Sequence, residues 1–190
     1  MNIYIVRHGE TDWNVEGRYG GQKDIPINEN GVRQAYETKE KLKDVKFDKV
    51  YSSPLIRAYK TAQIIYDGEI ITDPRIMEKG IGDLEGKLKS EVDVQIRFND
   101  PNERRFNIEP ITDFRARIKS FFDEIINDND SENILVVTHA GVGIYARCYF
   151  EGEPLGGDYT KYKIKNCQVI KYEVPRKKLV KQVRCDNGIK

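Results

Sequence analysis

The sequence predicts an α/β fold: a three-layer α/β/α sandwich around a mostly parallel central sheet. Two apolar, largely β-branched runs, Ile3-Tyr4-Ile5-Val6 and Ile134-Leu135-Val136-Val137, read as buried strands. Stretches with helical apolar spacing separate the strand-like runs, and that alternation puts helices on both faces of a parallel sheet. With 190 residues, the chain suits one domain, residues 1–190, with a substantial core.

The elements follow in order. Asn28 is placed to cap a helix to about Leu42, with Val32, Ala35, Tyr36 and Leu42 on its apolar side. A strand over Phe47–Tyr51 runs into Ser52-Ser53-Pro54, where Ser53 is the expected N-cap and Pro54 the first helical residue. Ala58, Ala62, Ile65 and Tyr66 give that helix a buried side, and Ile70-Ile71-Thr72 reads as another strand. Residues 87–109 are polar with weak periodicity, an expected excursion over the sheet edge and the site. Phe114, Ile118, Phe121, Phe122, Ile125 and Ile126 form one stripe of a helix over Thr112–Ile126. A helix from about Gly141 to Phe150 follows the second apolar run. Two last strands, near Gln168–Glu173 and Leu179–Arg184, flank a Pro175-Arg176-Lys177 turn.

Composition narrows the function classes. A net charge of +1 argues against a dedicated nucleic-acid binder, although Lys161–Arg184 is a basic stretch with Glu173 as its only acid. No apolar run approaches the roughly 20 residues that span a bilayer, and no secretory signal precedes the first strand, so a cytoplasmic location without membrane contact is expected. Cys148, Cys167 and Cys185 lack a Cys-x-x-Cys spacing and read as reduced thiols.

The chemistry concentrates where the apolar runs end. The chain's only two histidines, His8 and His139, each follow one of them. In open α/β sheets the ligand crevice lies at the carboxyl ends of the strands. Arg7 precedes His8, Arg57 lies early in a helix that follows a strand, and Glu78 sits in the glycine-rich Glu78-Lys79-Gly80-Ile81-Gly82. Asn14 closes the stretch that begins at Arg7. Two guanidiniums can clamp phosphate oxygens, one imidazole can attack phosphorus, and a carboxylic acid can protonate a leaving group. There is no His-x-x-x-His, acidic metal cluster or P-loop, so no cofactor or metal is expected, and arginine and imidazolium would supply the charge neutralisation.

In these motifs the chain resembles the histidine phosphatase superfamily, also called phosphoglycerate mutase-like. Arg7-His8-Gly9-Glu10-Thr11 with Trp13-Asn14 resembles its nucleophile motif, and Arg18, Gly21, Asp24, Pro26 and Gly31 match the stretch that follows. Ser52-Ser53-Pro54-Leu55 with Arg57-Ala58 resembles its second-arginine motif. Glu78, Gly82, Glu85 and Gly86 match its acid loop, His139 its second histidine, and Asn166-Cys167 a late element. The resemblance implies His8 as nucleophile and Glu78 as general acid and base, with Arg7, Arg57, His139 and Asn14 on the phosphoryl group. It also implies Gly20, Gly21 and Ala140 in substrate binding. Departures are Ala140 and Gly20, where glycine and a polar residue are common, Leu84 in place of an aromatic, and Glu109-Pro110 in place of Gly-Glu-Ser.

The compact length favours a metal-independent phosphomonoesterase acting on a small phosphorylated metabolite. The alternatives are a cofactor-dependent phosphoglycerate mutase and a non-catalytic binder of phosphorylated ligands. Arg97, Arg104 and Arg105 would suit further anionic groups on a substrate, but interspersed acids make a solvated surface the better reading. A monomer or a homodimer is expected.

Overall fold

A computed structural model describes residues 1–96, 98–128 and 130–175. The elements run β1 (Asn2–Arg7), α1 (Asp12–Glu16), α2 (Glu29–Leu42), β2 (Lys49–Ser52), α3 (Ile56–Ile65), β3 (Ile71–Thr72), α4 (Ile111–Ile125), β4 (Asn133–Thr138), α5 (Ala140–Glu151) and β5 (Val169–Glu173). The sheet order is β3-β2-β4-β1-β5, parallel except for β5, which pairs antiparallel with β1.

Side-chain alternation along the central strands creates the layers. Ile3, Ile5, Ile134 and Val136 share one cluster with Phe114, Ile118, Phe121 and Phe122 of α4 and Val142, Tyr145 and Ala146 of α5. Their neighbours Val6, Leu135 and Val137 belong to a second cluster with Leu42 of α2 and Ala58, Ala62 and Ile65 of α3. Both faces of the sheet are therefore covered, and the central runs are apolar throughout, as the sequence predicted. Burying each of the three phenylalanines is worth about 1.5–3 kcal/mol.

Local chemistry sets the helix ends. Asn28 Oδ1 accepts from Gly31 N at 2.8 Å, as expected for the cap of α2. Tyr36 is not on the buried side: it is 57% exposed, and Thr38 takes the inward position. The start of α3 also differs from expectation. Leu55, not Ser53, occupies the cap position, and Ile56 N donates to Asp24 Oδ1 from a distant loop at 2.6 Å. Ser53 Oγ accepts from Leu55 N at 3.3 Å and meets His139 Nε2, and the helix starts at Ile56, later than Pro54. The expected strand over Leu179–Arg184, Arg97 and Cys185 lie outside the described residues.

The described residues of 87–109 form short 3₁₀ segments, Lys89–Glu91 and Arg105–Asn107, joined by turns and loops. Val92, Ile96, Phe98, Phe106 and Ile108 pack on Ile81, Leu84 and Tyr19, which makes a small core of their own. Gly82, at φ +52°, permits the approach: a Cβ there would lie 2.1 Å from the Phe106 carbonyl oxygen.

Candidate active site

Strand register brings the two histidines together. Arg7 pairs with Thr138 across β1 and β4, and His8 N donates to Thr138 O at 2.8 Å, extending the ladder one residue past the strand. The next residues on the two chains, His8 and His139, then stand with ring centroids 5.2 Å apart. On the other side, Ser53 N donates to Val137 O at 3.0 Å, which carries the end of β2 to the same place.

A cleft of about 320 Å³ opens over these strand ends. Arg7, His8, Asn14, Gly20, Gly21, Arg57 and Glu78 all line it, so the structure gathers most of the residues expected from the sequence. Two do not reach its surface. His139 is fully buried behind His8, and Ala140, the first residue of α5, lies beside the cleft while the next residue, Gly141, lines it.

His8 is 4% exposed, and its Nδ1 lies 2.7 Å from the Gly9 carbonyl oxygen. A carbonyl can only accept, so Nδ1 carries the proton and the lone pair of the neutral ring is on Nε2. Burial, reinforced by the charges of Arg57 and Arg7, pushes the pKa of His8 well below 6.5, against the Gly9 hydrogen bond. Burial also holds His139 well below its ordinary value, with Arg57, His8 and Arg7 adding to the effect. Its Nε2 meets Ser53 Oγ at 2.8 Å, while Nδ1 is buried without a partner among the described residues.

The arginines are held by backbone. Arg57 Nη1 and Nη2 donate to the carbonyls of Lys23 and Gly21, both at 2.7 Å, and Arg7 Nη1 donates to Ile164 O at 3.0 Å. Arg7 Nε is buried with no acceptor among the described residues. Neither guanidinium belongs to an ion pair among the described residues, and burial lowers the pKa of both. A guanidinium keeps its proton regardless, so two positive charges without an ion pair among the described residues act on His8, offset in part by the field of Glu78 on both and of Asp24 and Glu85 on Arg57.

Supporting groups fix the frame. Gly9 N donates to Thr61 Oγ1, which in turn donates to Arg57 O, tying the His8 loop to α3. Asn166 Nδ2 donates to His8 O and Asn14 Oδ1, and Asn14 Oδ1 also accepts from Thr11 N.

Glu78 is gripped from both sides. Its carboxylate accepts from Lys79 N at 2.9 Å and Gly141 N at 3.1 Å. A Cβ at position 141 would sit 2.3 Å from Glu78 Oε1, so only glycine lets the carboxylate rest there. Behind the loop, Arg117 donates to the carbonyls of Arg75, Met77 and Glu78 and forms a two-pronged pair with Glu109, whose Oε2 accepts from Gly80 N. Gln22 Nε2 also donates to Glu78 O.

Sequence reading missed Ser53 as the His139 partner, and it missed Arg117 and Glu109. A signal for Arg117 existed: three residues after Phe114 and one before Ile118, it puts a charge beside the apolar stripe of α4, and its guanidinium stacks 4.6 Å from the Phe114 ring. Arg104 and Arg105, weighed for substrate contact, lie away from the cleft, and Arg105 pairs with Glu103. Groups of three or more metal-ligating side chains do not occur among the described residues.

The α/β sheet thus gathers two histidines, two arginines and Glu78 around one cleft. The model of the histidine phosphatase superfamily (branch 1) matches residues 3–187, and the chain belongs to that family. It is 34% identical over 147 residues to the uncharacterized phosphatase PhoE of Bacillus subtilis, covering 76% of this chain and 74% of the relative. It is 29% identical to the probable phosphoglycerate mutase GpmB of Proteus mirabilis, covering 91% and 85%. The crystal structure of a phosphoserine phosphatase mutant from Entamoeba histolytica, in complex with phosphoserine, superposes with a TM-score of 0.78 at 27% identity over 90% of this chain and 89% of that one. Family and relatives together support an enzyme of the phosphatase or mutase kind. No helix among the described residues is long and apolar enough to cross a membrane.

Proposed function

We propose that this chain is a metal-independent phosphomonoesterase that hydrolyses a small phosphorylated metabolite through a phosphohistidine on His8. The carrying observation lies in the cleft: His8, its Nε2 lone pair fixed by the Nδ1–Gly9 hydrogen bond, lines it together with two guanidiniums that form no ion pair among the described residues. A phosphate dianion would supply the missing negative charge, and Arg7, Arg57 and Asn14 would orient it. His139, buried behind His8, would donate to a phosphoryl oxygen only after a shift of its ring towards the cleft, and its Nδ1, without a partner among the described residues, is the nitrogen free to do so.

In the first step His8 Nε2 attacks phosphorus, and the P–O bond to the leaving group breaks. Glu78, entering as the carboxylic acid, gives its proton to the departing oxygen. In the second step a water attacks phosphorus and loses a proton to the Glu78 carboxylate; the P–N bond breaks and inorganic phosphate leaves. Charge stabilisation by arginine fills the role a metal ion has in other phosphoryl transfers.

The test is phosphate release from phenyl phosphate in excess chelator, wild type against His8→Ala, with acid-stable and base-stable phosphoprotein assayed after quenching. Chelator-resistant hydrolysis, lost in His8→Ala, with acid-labile and base-stable phosphate on the wild type, is the expected result. Turnover retained in His8→Ala would remove the nucleophile assignment. The likeness to a probable phosphoglycerate mutase keeps one second reading, transfer to a substrate hydroxyl instead of water. Phosphoglycerate isomerisation that requires bisphosphoglycerate priming would establish it.

A further inference from the structure

The cleft carries more positive charge than one phosphate needs. Arg7, Arg18, Arg57, Lys79 and Lys89 line it, and Glu78 is the only carboxylate that does so among the described residues. Arg18 is spent on Glu16 and the Gly86 carbonyl, and Lys89 lies at the exposed rim near the Tyr19 ring. Lys79 is different. It directly follows Glu78, is only 7% exposed, and lies on the cleft wall. Its ammonium donates to Phe98 O at 2.6 Å, its one hydrogen bond among the described residues, and faces the Phe98 ring at 5.8 Å.

A buried ammonium is costly unless a counter-charge or enough acceptors surround it. The carboxylates whose fields reach Lys79 are those of Glu109, Glu103 and Glu78. Glu109 is bound to Arg117, Glu103 to Arg105, and Glu78 to the amides of Lys79 and Gly141. None forms an ion pair with Lys79 among the described residues, and burial lowers the lysine's pKa despite their attraction. The rest of this wall is apolar or neutral: Phe98, Asn99, Ile81, Phe114 and Tyr145.

We infer that Lys79 is a specificity-determining residue that binds a second anionic group, a carboxylate or phosphate, on the leaving-group portion of the substrate. Two of its three N–H donors have no acceptor among the described residues, and the residue lines the cleft. The substrate class is thus a phosphomonoester whose alcohol is itself an acid. This inference rests on the phosphate-ester reading of the cleft.

Binding of non-hydrolysable phosphonates tests it without requiring turnover. Benzylphosphonate and 4-carboxybenzylphosphonate are titrated by calorimetry into wild type, Lys79→Met and Lys79→Gln. Lys79→Gln keeps a donor for the Phe98 carbonyl, so it repeats the comparison if Lys79→Met does not fold. Wild type should bind the carboxylated compound about tenfold tighter, equal to about 1.4 kcal/mol. In the variants that ratio should fall to near one, while affinity for benzylphosphonate stays within about twofold. No preference in the wild type, or a preference that survives in the variants, overturns the inference. Phenyl phosphate turnover is measured in parallel. A wild type that hydrolyses nothing yet loses its carboxylate preference with Lys79 would sink the phosphatase reading and leave the anion subsite standing.

Discussion

Replacing Arg117 by methionine keeps a long apolar stem against Phe114 but removes every hydrogen bond of the guanidinium. In the wild type Nε and Nη2 hold Glu109 at 2.8 and 3.0 Å, Nη1 holds the carbonyls of Arg75 and Met77 at 2.7 Å, and Nη2 holds Glu78 O at 2.9 Å. Arg117→Met leaves the Glu109 carboxylate without its cation. Breaking one side of a buried pair costs about 3–5 kcal/mol. Both side chains are 19% exposed, so partial solvation puts the expected loss near the lower limit, about 3 kcal/mol. At about 2–4 °C per kcal/mol for a chain of this size, the melting temperature should drop by about 6–12 °C.

The kinetic effect discriminates more sharply than the thermal one. Arg117 and Glu109 grip both flanks of Glu78, whose proton the proposed mechanism needs most when the leaving group is a poor one. Displacing a reacting group by about 1 Å can cost about 100-fold, so kcat on an alkyl phosphate should fall by about that factor. On 4-nitrophenyl phosphate, whose phenolate leaves without protonation, the fall should be under about tenfold. Glu109→Gln keeps one acceptor oxygen and sets an NH2 donor where the other carboxylate oxygen met Arg117 or Gly80 N, and it should show the same selectivity in weaker form. Equal losses on both substrates would refute the reasoning, because a structural defect alone does not distinguish leaving groups.

Two further predictions concern pH and backbone. Burial and the Arg57 and Arg7 charges hold His8 below 6.5 in the fold, whereas the unfolded chain protonates near about 6.5. Below that pH the unfolded state therefore binds more protons, so this stability is fully present above about pH 6.5 and is lost as pH falls towards the folded-state value. His139 shifts in the same direction. Urea midpoints should decline from pH 6.5 to 5, the decline should be shallower in His8→Gln, and imidazole NMR should show His8 still neutral at pH 6; protonation at pH 6.5 in the native state would contradict this. Gly141→Ala, whose Cβ would lie 2.3 Å from Glu78 Oε1, should reduce alkyl phosphate turnover by about 100-fold, with little effect on phosphonate affinity. Unchanged turnover would show that the Gly141 contact does not position Glu78.

Much of the fold was legible because its causes are local. The runs at Ile3–Val6 and Ile134–Val137 are apolar at every position and short, as a strand covered on both faces requires, whereas their register is fixed by pairing that the uniform pattern does not encode. Asn28 capped α2 as expected because its partner is three residues away, whereas α3 is capped by Asp24, from a loop that no local pattern connects to it. Tyr36 misled for a related reason: helical spacing marks a stripe, but only packing decides where its edge falls.

The candidate site divides in the same way. His8, Arg7, Arg57, Glu78 and His139 could be picked out by residue type and position after strands, because reactive chemistry needs those side chains at strand ends. Their states could not. The burial of His8 and His139, the backbone carbonyls that hold Arg7 and Arg57, and the Phe98 contact of the Lys79 ammonium depend on segments far apart in the chain. Arg117 and Glu109 are the clearest case. On the sequence they are one charge in a helix and one beside a proline; folded, they hold the loop that carries Glu78. The sequence by itself determined the layers and which side chains are candidates for the site, because strand periodicity and side-chain chemistry are local. Tertiary structure decided protonation, orientation and support, because desolvation and hydrogen bonding depend on what the rest of the chain packs around each group.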